Sequence, residues 1–421
     1  MERVQEIIAL LEDGQQDKAL QYYNDIVKSG SNEERFVLGE ELFQLGFLEE
    51  AKILFQRLLE AYPEEGELLV LVAEAEMELG NEEEAIAVLE RINKQDPSYP
   101  QALLLLADLY QMDGLFEVSE QKLLQAKSIL PEEVIIDFAL GELYAEQGRL
   151  YDAINAYKMV LPQQSVVGGV NVHGRIADCL SAGGGFEEAV DHYKKALAEK
   201  VEINTLFNLG LTSLQAGMTS SAIKHLEEVK ALDPSFHSLY LYLAKGYEQE
   251  EMLKEAYETV IEGIKQDEFN KELYVYGGKL ALKLGDEENA EKYFREALAI
   301  DPEFTEAVLL LNKLFLSKDR FEDCMELIDM MDAQQIEEPQ LYWDGAKALQ
   351  GLEKYSEALN KYHTAYTFYK DFPDFLYDFG YFLLEEGKRK EAAEIFNKLL
   401  LADPSNAEYM EIIDQLTEEP F

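Results

Sequence analysis

Small, aromatic and glycine positions recur along this chain with one long period. Small residues stand at Ala19, Ala51, Ala85, Ser119, Ala153, Ala189, Ala222, Ala256, Ala290, Cys324, Ala358 and Ala392, and eight of the eleven intervals between them are 34 residues. The other three intervals are 32, 36 and 33, each placed where a loop between units can absorb the difference. Further columns keep the register. Twelve residues before each position lies another small residue in ten cases, among them Gly39, Ala73, Ala107, Gly141, Ala346 and Gly380. Five residues before it stands glycine in nine of twelve units, including Gly14, Gly46, Gly80, Gly114, Gly148, Gly285 and Gly387. Four residues after it comes a bulky apolar or aromatic residue throughout, such as Tyr23, Phe55, Tyr157, Tyr193, Phe294, Tyr362 and Phe396. A fixed period of about 20 to 50 residues signals a stack of identical supersecondary units, so each unit is read once and repeated.

The columns predict two helices per unit. Antiparallel helices approach closely only where side chains are small, and a large residue one turn on fills the space that opens beside them. Glycine supplies the positive φ that ends the first helix. Glu49-Glu50-Ala51, Glu83-Glu84-Ala85 and Glu187-Glu188-Ala189 put carboxylates in the first turn of the second helix, where its dipole favours them. Asp-Pro at Asp96-Pro97, Asp233-Pro234, Asp301-Pro302 and Asp403-Pro404 stops that helix and opens the next unit, with Pro63 and Pro131 at the same place.

These residues carry a resemblance to the tetratricopeptide-repeat family, whose small residues at the eighth and twentieth positions, aromatic at the twenty-fourth and proline at the thirty-second match the columns across essentially the whole chain. The resemblance implies an all-α fold, a right-handed superhelical α-solenoid of about twelve helix-turn-helix repeats, like the multi-repeat cytosolic proteins of bacteria. Ile7 and Asn312 depart from the first small column and Cys324 from the second. Asn406 to Thr417 follow the last repeat as a lone helix, the polar-faced cap such stacks use to cover an open end.

The 36-residue interval holds Pro162, Gly168, Gly169 and Gly174, composition that suits either a joint or a simple insertion. The expected division is therefore repeats one to five over residues 1–161, a glycine-containing joint over 162–169, repeats six to twelve over 170–404, and capping helix and tail over 405–421. Acidity is denser in the first part, where 34 acidic residues oppose 12 basic ones in 161, against 50 and 25 in the remaining 260.

The formal charge of the 421 residues is -47, which repels phosphate backbones and anionic headgroups and argues against nucleic acid or membrane as partners. The longest apolar runs, Leu68 to Ala73 and Ala102 to Ala107, fall far short of the roughly 20 residues that span a bilayer. Met1 to Leu11 lack the basic start and apolar stretch of a signal peptide, and Cys179 and Cys324 suggest neither disulfide nor thiolate metal site, so a cytoplasmic location is expected. Candidate chemistry is sparse. The five histidines, His173, His192, His225, His237 and His363, form no His-Glu-x-x-His. Gly183-Gly184-Gly185 lacks the Lys-Ser/Thr of a phosphate loop and falls on a repeat turn. No catalytic, cofactor-binding or metal residues are expected, and the chain reads as a non-enzyme.

In the family it resembles, the first helix of each pair lines a concave groove, and the fifth and ninth repeat positions are among those that touch ligands. The ninth position here is Glu40, Glu74, Asp108, Glu142 and Asp178, then Leu211, then Lys245, Lys279, Lys313 and Lys347 at 34-residue spacing. The sign changes once. The fifth position is apolar, with Phe36, Val70, Leu104 and Phe138, then Phe207, Leu241, Val275, Leu309, Trp343 and Tyr377. An apolar stripe beside a charged column suits an amphipathic helix or extended peptide, and tryptophan is favoured as a binding hot spot. Against this, Glu248, Glu272 and Glu306 stand where they can neutralise the lysines. The resemblance thus implies a scaffold or adaptor for a partner protein or peptide. A peptide-responsive regulator or a co-chaperone is the alternative, the latter because Asn204, Asn208 and Lys245 loosely echo a carboxylate clamp without its second Lys and Arg. The partner's identity and the oligomeric state are left open.

Overall fold

Every glycine of the turn column adopts the left-handed backbone that the periodicity requires, with φ between 68° at Gly387 and 80° at Gly46 and Gly184. The three units without glycine keep the same conformation, because Glu251, Asp319 and Glu353 have φ of 61°, 56° and 60°. The turn is thus imposed by helix packing even where the residue resists it.

The computed structural model describes residues 1–418 and contains, among them, 25 α-helices and one two-stranded hairpin. The all-α repeat fold expected from the columns is the fold observed. It divides into two units, Met1–Ala216 and Gly217–Phe421. The first holds six helical hairpins, from Glu2–Glu12 with Gln16–Ser29 to Val172–Ala182 with Phe186–Glu199, and then the helix Ile203–Gln215. The second opens with Thr219–Leu232, continues through five hairpins from Leu239–Gln249 with Leu253–Gln266 to Pro373–Glu385 with Arg389–Ala402, and closes with Ala407–Glu418. That closing helix lies against Arg389–Ala402, where the cap was expected, and residues 419–421 of the expected tail fall outside the described residues.

The hairpins are held by the paired small and large columns. Ala51, Ala85, Ala153, Ala189, Ala256, Ala290, Ala358 and Ala392 are fully buried, as are Phe55, Phe294 and Phe396 beside them. The Asp of each Asp-Pro pair closes the turn by accepting the amide two residues on, at 2.8 Å for Asp96 and Ser98, 2.9 Å for Asp233 and Ser235, 3.0 Å for Asp301 and Glu303, and 3.3 Å for Asp403 and Ser405.

The long interval folds as a hairpin of Val166–Val167 against Val170–Asn171, with Gly168 and Gly169 at φ 55° and 82° supplying the turn. Val167 is buried in a cluster with Val134, Val160 and Val172, and Asn171 caps the next helix by accepting from the Gly174 amide at 3.2 Å. Among the described residues, no helix is long and apolar enough to cross a membrane.

Candidate partner-binding site

In the C-terminal unit the ninth-position lysines stand on the helices Leu239–Gln249, Lys271–Lys283, Thr305–Ser317 and Pro339–Gly351, and their surroundings differ. Lys245 lies 5.3 Å from the centre of the Tyr242 ring. Lys279 is paired with Glu306, as the spacing allowed. Glu248 serves a different lysine, Lys283, at 2.6 Å, and also accepts from the Tyr276 hydroxyl. Lys347 donates to Asp378 at 3.0 Å and sits 5.8 Å from the Trp343 ring. Lys313 is exposed and makes no ion pair among the described residues.

The apolar column is uneven as well. Val275 is only 3% exposed, sunk among Phe294, Ala281 and Leu311, and leaves nothing for a ligand to touch. Leu241, Leu309 and Trp343 are half-buried, and Tyr377 is exposed with its ring 4.6 Å from that of Tyr381. Trp343 is held firmly. Its Nε1 donates to Asp378 Oδ2 at 3.0 Å, and its ring centre lies 5.7, 6.0 and 5.5 Å from those of Tyr369, Phe372 and Phe375. Asp378 therefore fixes both Trp343 and Lys347 through one oxygen.

Two columns converge on one cavity. Between the helices Thr305–Ser317 and Pro339–Gly351 lies a space of about 610 Å³ lined by Leu309, Leu310, Lys313, Leu316, Ser317, Gln340, Trp343, Asp344 and Lys347. A shallower depression of about 420 Å³ continues from Leu316 and Lys347 past Gln350 to Tyr377, Asp378 and Tyr381. The residues that periodicity singled out as Leu309, Lys313, Trp343 and Lys347 thus line one cavity from two helices, whereas Lys245, Lys279 and Leu241 do not line it.

The floor of this cavity holds polarity that no column pointed to. Asp344 is 7% exposed and accepts from Gln340 Nε2 at 2.8 Å, and burial pushes its carboxyl up to about 6. Asn312, in the small column of the same hairpin stack, is fully buried beside that carboxyl, and its side-chain amide acts on Asp344 in the opposite sense to burial, favouring the charged form. Its departure from Ala or Gly was visible in the sequence, but its nearness to a buried carboxylate on the next hairpin was not.

In the N-terminal unit the acidic column splits into two kinds. Glu142 accepts from the Tyr157 hydroxyl at 2.6 Å and pairs with Arg175 at 2.9 Å, and Asp178 accepts from Tyr193 at 2.6 Å and Asn208 at 3.4 Å. The aromatic column thus holds these two acids in place from fifteen residues away. Glu40 has no ion pair among the described residues, and crowding by protein together with the charges of Glu67 and Glu41 raises its pKa. Desolvation does the same at Glu74, which accepts from Gln101 Nε2 at 3.2 Å, and at Asp108. Phe207 is half-buried. A polar pocket of about 270 Å³ opens beside the inserted hairpin, lined by Asn171, Arg175, Asp178, Tyr193, Asn204 and Asn208 among others.

Cys179 and Cys324 are buried free thiols, and burial pushes them up to about 11 and about 12, far from the thiolate a nucleophile needs. Among the described residues, no group of three or more His, Cys, Asp or Glu is placed to hold a metal ion.

Residues 111–165 match the family of YpiA-like tetratricopeptide repeats, and residues 339–406 match YpiA-like C-terminal tetratricopeptide repeats. A general tetratricopeptide-repeat family matches residues 42–117 and 281–348. The TPR repeat-containing protein YpiA of Bacillus subtilis (strain 168) is 45% identical over 416 residues, which cover 99% of this chain and 98% of that protein. The protein CTR9 homolog of Arabidopsis thaliana is 26% identical over 302 residues, covering 68% of this chain and 28% of the relative. Among solved structures, that of YrrB, a TPR protein with an unusual peptide-binding site, covers 44% of this chain and 95% of its own at 19% identity and a TM-score of 0.38.

Proposed function

We infer, from the premise that this chain belongs to the YpiA-like family of tetratricopeptide-repeat proteins, that it is a scaffold or adaptor whose C-terminal unit captures a partner protein or peptide. The observation that carries this reading is the 610 Å³ cavity on which Leu309, Lys313, Trp343 and Lys347 converge. Its size lies within the roughly 300 to 1,000 Å³ usual for ligand pockets in proteins. It combines a rigid tryptophan, apolar walls and cations at the rim, the composition of an interface hot spot. The two thiols are buried and their pKa values raised, which argues against either as a cysteine nucleophile.

A second capture surface is proposed for the N-terminal unit. Glu40 and Asp108 stand in the acidic column with raised pKa values and no ion pair among the described residues, so a basic segment would relieve the strain of keeping them charged.

Affinity capture from the native cytosol tests the first reading. Wild type and a Lys245→Glu, Lys279→Glu, Lys313→Glu, Lys347→Glu variant are compared, with circular dichroism checking that the helices persist. A protein held by wild type and lost by the variant is the expected result; identical sets of captured proteins would reject the C-terminal face as the capture surface.

A further inference from the structure

The four column lysines are not equivalent, and the difference points to the chemistry of the occupant. Lys245 rests against an aromatic ring, Lys279 is neutralised by Glu306 and Lys347 by Asp378. Lys313 alone among these four has no such contact, and it stands at the mouth of the cavity. What sets Lys313 apart is its place: a cation without an internal acid that lines an apolar space is positioned for an anion from outside. The space below it is bounded by Leu309, Leu310, Leu316 and Trp343, and the indole N–H is already used on Asp378, so the indole contributes apolar surface and no free donor.

We propose that this cavity takes a peptide segment in which a bulky apolar residue neighbours an Asp or Glu: the apolar side chain enters between Leu309, Leu316 and Trp343, and the carboxylate accepts from Lys313 Nζ. The assignment rests on the adaptor reading and narrows its partner. Asp344 is the one group in the cavity that opposes it. Asp344 lines the same space, is engaged by Gln340 and flanked by Asn312, with Lys313 and Lys347 as the cations nearby and Glu338, Cys324 and Tyr369 as the other titratable groups that act with it. Protonation of Asp344 removes that opposition, so the segment binds more tightly as pH falls from 7.5 to 5.5.

The test uses the full chain and an array of twelve-residue peptides, each with a central Leu, Phe or Trp flanked by Asp/Glu, by Asn/Gln or by Lys/Arg. Wild type retains the Asp/Glu set about tenfold over the Asn/Gln set, the size expected of one partly exposed charge contact. Lys313→Gln erases that ratio, Lys313→Glu turns it toward the Lys/Arg set, and Asp344→Asn raises retention of the Asp/Glu set at pH 7.5. Lys313 is exposed, so both of its variants fold, which thermal melting verifies. A preference for neutral or basic peptides, a ratio untouched at Lys313, or no retention of any set overturns the assignment. Capture at the C-terminal face survives those results if the four-lysine variant still loses its captured protein, and falls with the assignment if it does not.

Discussion

Gly278 and Phe294 occupy one space on the two helices of a hairpin: a methyl group on Gly278 would lie 2.4 Å from Cε1 of the fully buried Phe294 ring. Gly39 stands in the same relation to Phe55 at 2.5 Å, and Gly141 to Tyr157 at 2.4 Å. Ala73 and Ala107 have the slimmer Leu89 and Leu123 at the corresponding positions, although Ala177 and Ala346 accompany Tyr193 and Tyr362, so the seating of the ring matters as well as its size. Gly278→Ala is expected to cost about 1–3 kcal/mol by overpacking, and Phe294→Leu in the same chain to recover part of it. A double-mutant cycle from urea unfolding checks this, and strictly additive effects would show that the two residues do not share the space.

The three turn-column residues with side chains carry a conformational cost. Glu251→Gly, Asp319→Gly and Glu353→Gly, at φ of 61°, 56° and 60°, should each stabilise the fold by about 0.5–1 kcal/mol despite the added freedom of the unfolded chain. The sites are far apart, so their effects on the urea midpoint should add. A loss of stability at any of them would mean that its side chain makes a contact worth more than the strain.

Asp344 gives a pH dependence of definite sign. Its folded pKa, about 6, lies above the roughly 3.9 of an unfolded Asp, so the fold favours the protonated form, and stability falls as pH rises between those values. Asp344→Asn keeps the Gln340 hydrogen bond and removes the charge. It should stabilise by about 2–3 kcal/mol at pH 7.5 and by little at pH 4, as read from unfolding at both pH values.

His192 works in the opposite direction. It is 8% exposed, its Nδ1 lies 3.0 Å from that of His173, and burial with the charges of His173 and Lys195 pushes its pKa down to about 4. A folded value below the unfolded one, about 6.5, means stability that is present at neutral pH and is lost as pH falls toward 4. His192→Gln should therefore flatten the decline of the thermal midpoint between pH 6.5 and 4.5. An unchanged slope would place the acid sensitivity elsewhere.

The helices were legible because each column answers one packing need: Gly46 must turn, Ala51 must be small, and Phe55 must fill. What escaped the columns depends on pairs that meet only in space. His173 and His192 touch from two helices, the Glu142 carboxylate is held by a tyrosine already explained as core, and Asp344 sits under a groove whose rim alone was visible. Val275 shares a register with Leu241 and Leu309 but is sunk in the core, since repeat position does not specify how far a short side chain reaches past its neighbours. The short strands at 166–171 were hidden for another reason: paired glycines announce a turn but leave the pairing of their flanks to burial of Val167.

Trp343 is the single tryptophan of the chain, and it lines the cavity with its N–H anchored on Asp378. Light absorbed selectively by indole is therefore absorbed at this one place. The emission maximum reports the wetness of that wall alone, and an occupant that expels water should move it to shorter wavelength without any label being attached.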